Sequence, residues 1–203
     1  MKKISYRNLT YTRTKLVNNI LFAYHQTEEE DRFDWYMEAH NYAIYLSRIF
    51  NVSIIKTAGI LAALSPLKSW DRNKKIAYSY LKNGISGHTK IQTEKARLIL
   101  ELATTEEEVL TILSGQKTRS FYLNILHPAK SEHITIDRHA LTVATKILTT
   151  DQNFQALTRN QYDFFVEAFI HASKKVGVSP LLMQSATWVW VRKNKDLYKS
   201  LKI

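Results

Sequence analysis

Two short stretches carry side chains whose types and positions suit chemistry. In Ile134-Thr135-Ile136-Asp137-Arg138-His139-Ala140, one carboxylate stands between an apolar run and a helical pattern. An Asp there either caps the helix or serves as the working carboxylate of an active site, and capping is the commoner role for such a residue. In Gly115-Gln116-Lys117-Thr118, a lysine opens a helix just after a glycine. First-turn lysines are ordinarily solvated. The positive end of a helix dipole disfavours a cation, however, and an amine held there suits nucleophilic attack.

Other chemistries lack their residues. The 203-residue chain has no cysteine, so it can build no disulfide, thiolate zinc site or iron–sulfur cluster, and a reducing, intracellular home suits it. There is no P-loop, no dinucleotide fingerprint and no G-x-S-x-G elbow. The seven histidines, at 25, 40, 88, 127, 133, 139 and 171, form no H-E-x-x-H pattern. Neither a metal nor a cofactor is expected. No apolar run reaches about 18 residues, so no membrane-spanning helix is expected. The basic N-terminus lacks the apolar core of a signal peptide.

The elements that must position Lys117 and Asp137 read as helices. With 5 Gly and 3 Pro there is little material for sheet turns, and 45% apolar residues supply a core. Trp35, Ala39, Tyr42, Leu46 and Ile49 recur at helical spacing and predict a helix over about 32–50. Ser53 caps a second, through Leu64, and Pro66 breaks the chain before helices over about 71–82 and 90–102. Thr105 and Glu108 stand at capping-box spacing and open a short helix ending near Gly115. Helices over Lys117–Leu126, Arg138–Thr149 and Gln161–Val176 follow. Ser179-Pro180 starts the last, which ends near Lys193. No strand signal is sustained. The expectation is an all-α chain of about nine or ten helices. It forms one domain, or two lobes of about 50–135 and 1–49 with 136–203.

Charge is segregated. The net charge is +11 and the sequence pI about 9.7. Residues 1–26 hold Lys2, Lys3, Arg7, Arg13 and Lys15 without an acid. Residues 66–97 hold eight cations, Lys68, Arg72, Lys74 and Lys75 among them, against Asp71 and Glu94. Acids collect in the stretches 28–34 and 104–108. A basic face of this kind suits a polyanion, and nucleic acid is the expected partner.

The order of motifs adds to this. Ile60–Ala77 with Leu64-Ser65 and Asn73-Lys74, then Lys95-Ala96, then Gly115-Gln116-Lys117-Thr118, then Ile136-Asp137-Arg138-His139 resembles the helix-hairpin-helix DNA glycosylase superfamily. In that family a Leu-Ser-x-Gln loop wedges the duplex, a Leu-Pro-Gly-Val-Gly-x-Lys-Thr hairpin presents a Schiff-base lysine, and Val-Asp-x-His carries the catalytic aspartate. The resemblance covers about residues 55–145. It departs where the hairpin is about two residues short and lacks Gly-x-Gly, and where Pro66 and Leu67 replace the wedge glutamine. The chain also looks like small phage-encoded members, which would act in the host cytoplasm.

The resemblance implies a DNA N-glycosylase acting as a monomer on a damaged or modified base, with Lys117 as nucleophile and Asp137 as its electrostatic partner. Cleaving an N-glycosidic bond builds positive charge on the sugar, which a fixed carboxylate stabilises. Attack by water leaves an abasic site. Attack by Lys117 gives an imine, and β-elimination then nicks the strand. DNA contacts are expected from Lys68, Arg72, Lys74, Lys75, Gln116, Arg119, Arg138 and Arg192. The flipped base needs a wedge and a pocket. Leu67, Lys68 and Trp70 are the candidates for the first. Phe121, Tyr122, Trp188 and Trp190, with Gln184 on the stripe Gln184–Trp188–Arg192, are those for the second. Base hypermodification on a similar fold, or DNA binding without catalysis, are the other readings.

Overall fold

The computed structural model describes residues 2–32, 35–130 and 132–200. Asp34, the last acidic position of the 28–34 run, lies outside them. The described chain is mostly helical, as expected, with eleven α-helices, one 3-10 turn at Glu29–Asp31 and one small hairpin. It divides into two units, Met1–Trp35 with Glu132–Ile203, and Tyr36–Ser131. The unit boundaries fall at Trp35/Tyr36 and at Ser131/Glu132.

The first unit opens with a feature the sequence did not signal. Strands β1 (Lys3–Tyr6) and β2 (Leu9–Thr12) pair antiparallel, Lys3 facing Thr12 and Tyr6 facing Leu9. The two turn residues, Arg7 and Asn8, both have left-handed backbones, with φ of 51° and 62°. Tight hairpins need positive φ at both positions, usually with glycine at one. Here Arg-Asn takes the turn instead, so the absence of strands expected from the scarcity of glycine is corrected. Helix α1 (Arg13–His25) follows, capped by the Thr12 hydroxyl. Its buried Leu16, Val17, Ile20 and Ala23 supply the core face.

The second unit holds six helices: α2 (Trp35–Phe50, from Tyr36), α3 (Ile54–Ala63), α4 (Trp70–Asn83), α5 (Lys90–Leu102), α6 (Glu106–Ile112) and α7 (Gln116–Leu126). Helix α3 is the centre, buried at every residue from Thr57 to Ala63. The Thr57 hydroxyl donates to the Ala43 carbonyl of α2 at 2.9 Å. A Cβ at Gly59 would lie 2.8 Å from a methyl of Val109 and 3.1 Å from one of Ile99, so glycine is what lets α3 sit this close to α5 and α6. The Ser53 cap and the Thr105–Glu108 capping box read from sequence are formed on α3 and α6, and the Ser69 hydroxyl, not read as a cap, accepts from the first turn of α4.

The chain then returns to the first unit with α8 (Arg138–Thr145), α9 (Arg159–Val176), α10 (Pro180–Lys193) and α11 (Lys195–Ser200). Helix α8 is shorter than the expected 138–149. Lys146 turns left-handed at φ 60°, and the Thr149 amide folds back onto the Thr142 hydroxyl at 2.9 Å. Helix α1 packs against α8, α9 and α10. Buried Asn19 donates to the Ala144 carbonyl at 2.8 Å, satisfying an end of α8.

Candidate active site and nucleic-acid contacts

In the first unit, residues 134–136 are pinned on both sides before they deliver Asp137. The Gln184 side chain accepts from the Thr135 amide at 3.1 Å and donates to the Thr135 carbonyl at 2.8 Å. The Tyr162 hydroxyl accepts from the Ile136 amide at 3.1 Å and donates to the Ile134 carbonyl at 2.8 Å. Four hydrogen bonds thus fix a buried extended segment that pairs with no strand among the described residues. Tyr162 belongs to α9 and Gln184 to α10, so two helices aim one aspartate.

Asp137 itself is half-buried and uses its oxygens separately. Oδ1 accepts from the Ala140 amide at 2.8 Å, the N-cap of α8. Oδ2 accepts from the Trp188 indole N–H at 3.3 Å. An ionised carboxylate can accept about four hydrogen bonds, so the pair of donors orients the group and leaves capacity for another partner. Around Trp188 stand the His139 ring, edge-on at 5.4 Å, the Trp35 ring at 6.1 Å, and the Arg192 guanidinium at 4.6 Å over the indole. Burial holds the His139 pKa below its ordinary value against the opposing pull of Asp137, and Arg138, Lys195 and Arg192 push it the same way as burial. Burial and the neighbouring cations therefore favour the neutral imidazole.

Several expected site residues belong together here and others do not. Asp137, Trp188 and Arg192 form one cluster. Gln184 is corrected from a base-reading position: it is buried and both ends of its amide are taken by Thr135. Arg138 pairs with Asp151. Tyr162, Trp35 and His139 complete the cluster without having been singled out as site residues. No sequence pattern joins Tyr162 to a segment 26 positions before it.

The second unit carries the lysine. Gly115, at φ 81°, precedes α7, and no side chain caps that helix. Lys117 is exposed and has no hydrogen-bond or ion-pair partner among the described residues. The turn before it is braced from within: Arg119 Nε donates to the Leu113 carbonyl at 2.8 Å, and Lys95 Nζ to the Ser114 hydroxyl at 2.5 Å. Tyr122 is corrected from a pocket wall to a core residue. It is wholly buried, and burial raises the pKa of its hydroxyl, which has no hydrogen-bond partner among the described residues. Trp190, in the first unit, is buried too.

The loop between α3 and α4 matches its expected exposure only at the tip. Leu67 is 84% exposed and left-handed at φ 59°, an unusual state for a branched residue. Lys68 beside it is exposed. Trp70 is not at the tip. Its indole donates to Glu38 at 3.2 Å, and its ring meets Tyr42 edge-on. Arg72 and Lys75 are exposed, while Lys74 pairs with Asp71 at 3.1 Å and Glu38 at 3.8 Å.

Residues 2–195 match a family of unknown function, DUF7178. The chain belongs to that family. No curated protein and no solved structure matches the DUF7178 chain. Among its described residues no single helix is long and apolar enough to cross a membrane, and no three His, Asp or Glu side chains gather as a metal site.

Proposed function

We propose that the protein is a DNA N-glycosylase that removes a damaged or modified base, with Asp137 as the charge-stabilising carboxylate and Lys117 as the attacking amine. The observation that carries this is the orientation of Asp137. Its carboxylate is held by a helix amide and an indole N–H, on a segment fixed by four further hydrogen bonds, and it remains half-exposed. A cap alone needs only the first of these. A carboxylate that must face a sugar carbon as positive charge develops needs its direction fixed before the reaction begins.

The sequence order of Lys117 and Asp137, the short turn into α7 and the exposed Leu67 tip support the same reading. In the reaction, the Lys117 amine adds to C1′ as the C1′–N bond to the base breaks, and the base leaves with a proton. The secondary amine loses its own proton as the ring opens to the imine, and β-elimination breaks the 3′ C–O bond. If water adds instead, the sugar is left as an abasic site. Lys68, Arg72, Lys75, Arg119 and Arg192 are exposed cations that would meet phosphates.

The test is a set of duplexes, each carrying one modified base, incubated with the full chain. Release of a free base, or an alkali-labile abasic site, supports the proposal. Binding without either product across the set would make the protein a DNA-binding module. A base altered in place on an intact backbone would make it a modifying enzyme.

A further inference from the structure

The exposed face of α2 and α4 carries more aromatic surface than packing uses. Tyr42 and Tyr45 stack at 5.6 Å and 28°, and Tyr45 is 47% exposed. Trp70 closes on Tyr42 edge-on at 5.9 Å. Next to them opens a concavity of about 620 Å³ lined by Tyr42, Asp71, Lys74, Lys75 and Tyr78. The Tyr42 hydroxyl donates to the Lys74 carbonyl at 3.2 Å, and Phe50 meets Tyr78 edge-on at 5.2 Å, so both tyrosines are packed against their neighbours.

The charges on this face divide into two kinds. Lys74 is held by Asp71 and Glu38, and its ammonium sits 5.9 Å from the Tyr42 ring centre and 5.7 Å from that of Trp70. Lys75 is exposed and pairs with no acid among the described residues, and Arg72 is likewise exposed. An aromatic step beside unpaired cations is the pattern that binds unpaired nucleotides: bases stack on the rings while phosphates meet the cations. An acidic protein would use the cations but has no need of a half-exposed stacked tyrosine pair.

We infer that the α2/α4 face is a single-strand nucleic-acid platform, with a base stacked on Tyr45 and its phosphate on Lys75. It lies wholly in the second unit and does not depend on the chemistry proposed for Lys117 and Asp137. It would hold unpaired nucleotides whether or not the protein cuts them.

Binding of a labelled oligothymidylate of about 12 nucleotides, followed by fluorescence anisotropy with the full chain, tests this. Tyr45→Ala should weaken binding about tenfold, while Tyr45→Phe, which keeps the ring, should bind like the unaltered chain. Lys75→Gln should lower the slope of log affinity against log salt by about 1. Equal binding by Tyr45→Ala and the unaltered chain would overturn the inference, as would equal losses in Tyr45→Ala and Tyr45→Phe. Polyglutamate competing as well as the oligonucleotide would also overturn it, because the face would then be only a charged surface. Tyr45 and Lys75 are exposed, so thermal melting should confirm that these variants fold.

Discussion

The indole N–H of Trp188 donates to Oδ2 of Asp137 at 3.3 Å, while Oδ1 of the same carboxylate caps α8. The two residues are 51 positions apart, and α10 meets α8 to bring them together. One carboxylate therefore serves the fold with one oxygen and is aimed by a tryptophan with the other. That division separates its structural and chemical roles experimentally.

Asp137→Asn keeps an N-cap, since Asn caps about as well as Asp. The thermal midpoint should move by only a few degrees, the cost of losing the bond from Trp188, whose N–H would face the amide NH2. Base release should fall about 100-fold or more, because the amide cannot stabilise developing positive charge. Melting curves and product assays on the same preparation check both. Lost stability with retained turnover would make Asp137 purely structural.

The depressed pKa of His139 gives the fold a pH dependence of known sign. Burial favours the neutral ring, so the folded state binds fewer protons there than the unfolded chain, whose histidine titrates near about 6.5. The stability from keeping His139 neutral is complete above that pH and is lost as pH falls towards the folded value. Asp137 opposes the shift, and Arg138, Lys195 and Arg192 reinforce it. Urea unfolding from about pH 7.5 to 5 should show stability falling with acid, less steeply in His139→Gln. Parallel profiles would contradict the assignment.

Gly59→Ala tests the packing of the second unit. The added methyl would sit 2.8 Å from buried Val109. Overpacking of about 1–3 kcal/mol should outweigh the roughly 1 kcal/mol that alanine gains in helix propensity. The urea midpoint should fall, and a rise would show that α6 yields easily.

Much of the helical frame was legible because its ends are written in side chains. Ser53, Thr105 and Ser179 each accept from the turn they precede, while Ser69 and Thr158 do the same without having been read as caps. Helix α1 was not, because buried Asn19 interrupts its apolar stripe to satisfy a carbonyl 125 positions away. The hairpin was hidden by an Arg-Asn turn where glycine is the usual sign. Asp137 and Lys117 were legible as types in context. The bracing of Asp137 was not, since Tyr162, Gln184 and Trp188 reach it through tertiary packing that no local spacing encodes. The stripe of Gln184, Trp188 and Arg192 was visible, but burial assigns its members different work: one holds backbone, one aims the carboxylate, one stays exposed.

The most direct test of the account is borohydride trapping on a duplex that carries an abasic site, which removes any dependence on the unknown base. If Lys117 attacks C1′, reduction of the imine locks protein to DNA, and a covalent band appears on a denaturing gel. Lys117→Gln, altered at an exposed side chain, should fold and bind the duplex yet give no covalent band. A band of equal strength from Lys117→Gln would contradict the assignment of Lys117 as the nucleophile.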